Sequence, residues 1–194
     1  MERSNLMFDW IISDTHFWHD NIVKFCFRPG YHEEDYVLHN RIMFDNWLKL
    51  VGEDEEILHL GDIAFFSRDK TTRNEQVQTI SELPGIKKAI LGNHDREKRS
   101  VYEACGFTVI KDLIIQVKGW EVVFTHYPIR GEDLRDDQIN VHGHCHNNSV
   151  DGLTKRHKNV SVELMSFSPQ RIDDILTGCL YRAGESVDRD FNPK

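Results

Sequence analysis

"KKAILGNHD", residues 87–95, joins two kinds of sequence in nine residues. Ala89, Ile90 and Leu91 have the apolar run of a buried strand, and the chain passes at once into Gly92, Asn93, His94 and Asp95. The same construction recurs along the chain. "MFDWIIS" (7–13) runs into Asp14 and His16, "EEILHLGD" (55–62) ends on Asp62, "WEVVFTHYP" (120–128) carries His126, and "INVHGHCHN" (139–147) carries His142, His144 and His146. In layered α/β domains, ligands gather beyond the carboxyl ends of strands, where loops from several strands converge. Five distant segments therefore predict one polar cluster.

Helical spacing fills the gaps between these strands. Residues 33–52 carry Tyr36, Val37, Ile42, Met43, Trp47, Leu48 and Val51 near a 3.6-residue period and stop at Gly52. Further helices are predicted over 72–83, closed by Pro84-Gly85, over 97–106, capped by Gly106, and over 168–179, opened by Ser168-Pro169. "DTHFWHDN" (14–21) reads as a loop by its polar content, and "FTVIKDLIIQV" (107–117) and "KNVSVEL" (158–164) each read as one strand. Strand and helix alternate first and a strand-rich half follows, which predicts an α/β layered domain. The expected organisation is a single domain over residues 1–180 with a polar tail over 181–194.

The bulk numbers narrow the function. Of 194 residues, 39% are hydrophobic and 29% charged, the balance of a soluble globular protein. No apolar run approaches a membrane span, and "MERSNLMFDWII" lacks a signal peptide's apolar stretch, so a cytoplasmic protein without a membrane partner is expected. Cys26, Cys105, Cys145 and Cys179 form no CxxC pair and are expected as free thiols in a reducing compartment. The formal net charge of −8 weighs against long nucleic acid as a partner.

The polar cluster has the composition of a metal site. Residues two apart on an extended segment point the same way, so Asp14 with His16, and His144 with His146, are expected to reach one ion as pairs, with Cys145 as a spacer facing away. Asp14, His16, Asp62, Asn93, His126, His144 and His146 offer seven groups. That is too many for one ion and suits two ions if one carboxylate bridges. Mixed imidazole, carboxylate and amide donors suit Mn²⁺, Fe²⁺, Zn²⁺ or Ni²⁺, and the lack of thiolate argues against a structural zinc site.

The ordered set D-x-H, G-D, G-N-H-D, H, G-H-x-H, spanning residues 14–146, resembles the calcineurin-like metallophosphoesterase superfamily. The opening "SDTHFWHDNIVKFCFRP" is similar to the small single-domain phosphoesterases of bacteria and their phages. The resemblance implies a four-layer α/β/β/α sandwich of the metallophosphoesterase type and two divalent ions, with Mn²⁺ the first candidate. One ion is implied on Asp14, His16, Asp62 and His146, the other on Asp62, Asn93, His126 and His144. It implies that His94 stabilises or protonates the leaving oxygen, that Asp95 orients His94, and that a metal-bridging hydroxide attacks phosphorus. His142 has no ligand position and is expected behind the site.

His19, Asn21, Arg28 and Arg130 are further candidates for substrate contact, each with a solvated or helix-capping alternative. Phe17, Trp18, Phe65 and Phe66 offer either an aromatic wall for a base or loop packing. The expected activity is hydrolysis of small nucleotide-like phosphodiesters, 2′,3′-cyclic nucleotides leading. Phosphomonoesterase, protein phosphatase and nuclease activities of the same fold are the alternatives, and a non-catalytic scaffold is disfavoured because every motif residue is retained. "GDIAFFSRD" (61–69) lacks the second Asp and the Arg of the protein phosphatases' G-D-x-V-D-R-G, which lowers that alternative.

Overall fold

A computed structural model describes residues 8–32, 35 and 37–184. Two sheets stack with helices about them, the mixed α/β sandwich expected from the sequence. The first sheet has the order β4-β3-β2-β1-β9, with β1 Trp10–Ile12, β2 Glu56–His59, β3 Ile86–Ile90, β4 Phe107–Ile110 and β9 Gln170–Arg171. Strands β1 to β4 run parallel and β9 antiparallel. The second sheet has the order β5-β6-β7-β8, with β5 Leu113–Val117, β6 Trp120–Thr125, β7 Gln138–His142 and β8 His157–Asn159. β5 and β6 form an antiparallel hairpin, while β6, β7 and β8 are parallel.

Alternation along β1 sorts the two cores. Ile11 joins Leu58, Leu60, Val122, Phe124, Ile139 and Val141 between the sheets. Trp10 and Ile12 face the other way, onto the cluster holding Met43 and Trp47 of α2 (Leu38–Leu50), Ile80 of α3 (Lys70–Ser81) and Tyr102 of α4 (Arg99–Ala104). Strands with both faces covered are apolar throughout, which is why these segments read as unbroken hydrophobic runs. Helix α5 (Ile172–Ala183) adds Ile172, Ile175, Leu176 and Leu180 to the inter-sheet core. Asp69 opens α3 by accepting from the Thr72 amide at 2.9 Å.

Several sequence expectations need correction. The loop "DTHFWHDN" gives way at Asp20 to a short helix, α1 (Asp20–Phe25), because Ile22 and Val23 turn inward beneath the polar surface that made it look irregular. Residues 107–117 are two strands in different sheets, broken at the exposed pair Lys111-Asp112. The helix expected from Ser168 begins at Ile172, since Gln170 and Arg171 first pair with β1. Segment 158–164 is not one strand. β8 ends at Asn159, whose side chain accepts from the Ser161 amide at 2.9 Å and hydroxyl at 2.7 Å, and Val162–Leu164 form a 3-10 turn. The helix expected from residue 33 begins at Leu38, and residues 33, 34 and 36 lie outside the described residues. The expected start of the tail, residue 181, falls inside α5, and residues 185–194 lie outside the described residues. Among the described residues, no helix is long and apolar enough to cross a membrane.

Candidate metal centre

Parallel pairing puts the carboxyl ends of β1, β2 and β3 on one rim, and those of β6 and β7 deliver His126 and the 143–146 loop. The seven predicted ligands do meet there. Asp14, His16 and His146 form one group whose ligand atoms lie within 4.8 Å of one another, and Asp62, His126 and His144 form a second. Asp62 stands between them, its Oδ2 3.4 Å from His16 Nε2 and 3.5 Å from His126 Nε2. Asn93 Oδ1 completes the second group, 3.0 Å from His126 Nε2 and 3.1 Å from His144 Nδ1.

The backbone reaches this arrangement by a different route from the one the spacing predicts. The ligand pairs are not on extended segments. Asp14 (φ 59°), His16 (φ 46°), Asp62 (φ 56°), His144 (φ 68°) and His146 (φ 49°) all adopt left-handed conformations. Non-glycine residues rarely do so, and such positions persist only where their surroundings fix them, most often at functional sites. Adjacent glycines permit the crowding. A Cβ on Gly143 would lie 2.0 Å from Ser13 Oγ and 2.4 Å from Asp14 Oδ2, and one on Gly92 would lie 2.2 Å from Asp62 Oδ1.

Several of these candidate ligands are held from behind. His126 Nδ1 donates to the Leu60 carbonyl at 2.7 Å, leaving Nε2 to face Asp62. Asp14 accepts from the His144 amide at 3.0 Å and from Ser161 Oγ at 3.0 Å. His146 Nδ1 lies 3.0 Å from Glu163 Oε1, and that oxygen is gripped by Arg28 through Nη2 at 2.6 Å and Nε at 2.9 Å. A third possible metal group, Cys26, His146 and Glu163, shares His146 with the first. Glu163 is committed to Arg28, so it acts as the hydrogen-bond partner that aims the imidazole. Burial opposes a proton on His146, but the Cys26 thiol and the Glu163 carboxylate outweigh it and push its pKa up to about 10. Burial likewise opposes charge on Asp62, yet His126, His16 and the His94 amide hold its carboxyl well below the usual range. Burial drives the His16 imidazole down to about 2 despite Asp62.

The donor set fits two divalent cations. His16 Nε2 is buried without a hydrogen-bond partner, a costly state for an imidazole nitrogen that a cation would relieve. Imidazole, carboxylate and amide groups converge in two sets that share the Asp62 carboxylate.

The remaining predicted residues divide. The His94 ring lies 5.2 Å from that of His16, and its amide donates to Asp62 Oδ1 at 2.8 Å. Asp95 does not bond the His94 ring. Its carboxylate accepts the amides of Asp62 (2.7 Å), Ile63 (2.9 Å) and Gly92 (2.8 Å), tying the second and third motif loops together. Burial pushes that carboxyl up to about 6 against those three donors. His19 is half-buried, with its ring 5.5 Å from His16 and stacked on Phe65 at 4.7 Å. Asn21 sits exposed on α1. Arg28 is neither solvated nor turned to the open site. It is 1% exposed beneath the first ligand loop, also donating to the Thr15 and Asp14 carbonyls at 2.7 Å each. Arg130 is exposed, 3.5 Å from Glu132, and borders a separate cavity of about 570 Å³ between the 128–132 and 150–153 loops. Phe17 is buried and stacked on Phe44 at 4.3 Å, Trp18 packs on Phe44 and Phe66, and Phe66 meets Tyr102. Of these four aromatics Phe65 is the most open, 45% exposed, while Trp18 and Phe66 are partly buried. His142 is fully buried, its Nδ1 2.8 Å from the Gly143 carbonyl, and burial lowers its pKa to about 4. All four cysteines are free and buried.

Sequence reasoning passed over Ser161, Glu163 and His59. "NVSVE" (159–163) held the signal, because Asn159, Ser161 and Glu163 alternate with buried Val160 and Val162.

Comparison with known proteins agrees with this geometry. Residues 7–162 match the calcineurin-like phosphoesterase superfamily domain. An uncharacterized protein of Methanocaldococcus jannaschii is 30% identical over 172 residues, covering 86% of this chain and 88% of its own. The Gene 66 protein of Mycobacterium phage L5 is 27% identical over 164 residues, covering 71% of this chain and 76% of its own. The crystal structure of a protein of unknown function from Aquifex aeolicus superposes with a TM-score of 0.64 at 28% identity, covering 86% of this chain and 96% of that one. The chain belongs to the calcineurin-like phosphoesterase superfamily, hydrolases of phosphoric esters that use a dinuclear divalent metal centre.

Proposed function

We propose that this protein is a metal-dependent phosphodiesterase acting on small nucleotide-like diesters in the cytoplasm, with 2′,3′-cyclic nucleotides first among them and Mn²⁺ as the working metal. The observation that carries the reading is the placement of Asp62 Oδ2 between two imidazole groups, 3.4 Å from His16 and 3.5 Å from His126. One ion would rest on Asp14, His16, Asp62 and His146, and the other on Asp62, Asn93, His126 and His144. When bound, such a pair supplies Lewis acidity to the phosphate and lowers the pKa of water.

The chain's own groups do the rest. Leu60 fixes the His126 tautomer, and Glu163 with Arg28 fixes His146. Asp95 locks the loop carrying Asn93 and His94 against the loop carrying Asp62. A water oxygen bonds to phosphorus as its proton passes to solvent, the phosphorus–oxygen bond to the leaving group breaks with the electron pair on the leaving oxygen, and the His94 ring gives that oxygen a proton. The preference for a diester rests on Arg28. It lies beneath the first motif loop, and its guanidinium is spent on the Asp14 and Thr15 carbonyls and Glu163, so it is not offered to a dianionic monoester.

The test compares kcat/KM for 2′,3′-cyclic AMP, 3′,5′-cyclic AMP, AMP and a short single-stranded oligonucleotide at fixed Mn²⁺ and salt. The cyclic diester is expected to lead. AMP or the oligonucleotide leading by tenfold would overturn the reading.

A further inference from the structure

Beside His94 lies a cavity of about 210 Å³ whose walls include Phe65, Phe66, Arg68, Arg96 and Glu97. Whole-ligand sites usually run to about 300–1,000 Å³, so this one suits a portion of a ligand. Its position is specific. His94 forms part of the wall, and none of the seven ligand residues does. The cavity therefore extends from the proton donor, on the leaving-group side of the scissile bond.

Its chemistry is anion-binding. The Arg68 and Arg96 side chains are exposed, and neither makes a hydrogen bond or ion pair with a described residue. The one carboxylate in the wall, Glu97, lies 3.4 Å from Arg73. In a chain of net charge −8, two guanidinium groups without partners at the mouth of one cavity form a local basic site. Guanidinium matches phosphate oxygens in a two-pronged geometry. Phe65 is 45% exposed and lies nearly parallel to His19, at 18° and 4.7 Å, which presents an aromatic edge to a base.

We infer that this cavity, lined by His94, Phe65, Arg68 and Arg96, is a subsite for a second phosphate carried one nucleoside away from the scissile diester. This rests on the phosphodiesterase reading and narrows its substrate. In a 2′,3′-cyclic nucleotide the leaving oxygen belongs to the ribose, so the nucleoside passes over His94. Its base then meets Phe65, and its 5′ end reaches the two arginines. The favoured class is a 2′,3′-cyclic nucleotide bearing a 5′-phosphate.

The experiment measures kcat/KM for 2′,3′-cyclic AMP with and without a 5′-phosphate, alongside bis-p-nitrophenyl phosphate, in Mn²⁺ at fixed salt. The wild-type protein should prefer the 5′-phosphorylated substrate by tenfold or more. Arg68→Ala/Arg96→Ala should erase that preference, and Arg68→Lys/Arg96→Lys should retain part of it. A matched loss of two charges at Lys111→Ala/Arg182→Ala should leave the ratio standing. Hydrolysis of bis-p-nitrophenyl phosphate without a 5′-phosphate preference, or a preference that survives in the double alanine variant, would overturn this inference alone. Failure of the wild-type protein to hydrolyse any of the diesters would overturn the phosphodiesterase reading and this inference with it.

Discussion

The two halves of the candidate metal centre are braced in opposite ways. On the Asp62, Asn93, His126 and His144 side, the supports are largely backbone: the Leu60 carbonyl behind His126 and the His94 amide on Asp62. On the Asp14, His16 and His146 side, the His144 amide holds Asp14 as well, but the other supports are side chains far apart in sequence: Ser161 on Asp14, and Glu163 with Arg28 behind His146. Backbone supports come with the strand ends and are present once the sheet forms. Side-chain supports can be removed one at a time. The Asp14, His16 and His146 half is therefore the one that substitution can disable without dismantling the other.

Asp62→Asn breaks this distinction, since Asp62 belongs to both halves, and the largest effect is expected there. Both ions should be weakened together and turnover should fall to background, as it should on chelation of the wild-type protein. Metal content by elemental analysis and activity in a manganese titration check this. A variant that keeps two tightly held ions and full turnover would rule out the bridging role.

His94→Ala belongs to neither half. It should fold and keep its metal while losing roughly 10²–10⁴-fold in kcat on esters with poor alkoxide leaving groups. The loss should shrink for p-nitrophenolate, which leaves with little protonation. An equal loss on both would make His94 a phosphate-positioning group.

Glu163→Gln sharpens the comparison. Loss of the partner behind a metal-binding histidine commonly costs about 10–100-fold in affinity. That cost should fall on one ion only, so a manganese titration should show one site weakened and one unchanged. Arg28→Met should destabilise the fold by about 3–5 kcal/mol in urea, because it takes the guanidinium from the buried Glu163 carboxylate and from the Asp14 and Thr15 carbonyls. Arg28→Met/Glu163→Gln should recover part of that stability but not the weakened ion. Equal weakening of both ions in Glu163→Gln would show that the halves are not separable.

The same contrast governs what was legible in the sequence. The backbone-braced half was readable because strand and ligand are neighbours: "HLGD" and "LGNHD" hold the strand, the turn glycine and the ligand together. The side-chain-braced half was only half readable. Asp14, His16 and His146 announce themselves, but Glu163 and Ser161 sit in a segment whose alternation looked like an ordinary strand, and Arg28 looked like surface. The pairing of Arg28 with Glu163 spans 135 residues and follows from the fold, not from local pattern. Spacing also paired Asp14 with His16 for the wrong reason, and paired His144 with His146 although the two divide between the groups. Left-handed turns bring Asp14 and His16 into one group and send His144 and His146 to different ones, and strand alternation plays no part in it. The pattern of residue types survived that error because the chemistry demands the same donors however the backbone delivers them.

The smallest effect expected concerns His59, which braces both halves without touching a ligand. It is fully buried, and burial holds its imidazole down to about 3, Asp62 notwithstanding. Nδ1 accepts from the Gly61 amide at 3.1 Å, so Nε2 carries the proton and donates to Thr15 Oγ1 at 2.9 Å. The Thr15 hydroxyl in turn donates a hydrogen bond to the Ile63 carbonyl at 2.7 Å, linking the first and second motif loops. A second proton on the ring would face the Gly61 N–H and break this chain. The sign follows from proton counting. Below the unfolded value of 6.5 the unfolded chain binds a proton that the folded protein does not, so this contribution is intact above pH 6.5 and is lost as pH falls toward 3. Well inside that window the slope is about 1.4 kcal/mol per pH unit for one such histidine. His39, also buried and held to about 3, adds to it. Urea midpoints of the wild-type protein should fall steadily from pH 6.5 to 4.5. His59→Gln should be less stable at pH 7, having lost the relay, yet show a shallower fall with acid by the share of one proton. An undiminished acid slope in His59→Gln would mean that this ring is not held neutral, and that the two motif loops are joined by some other contact.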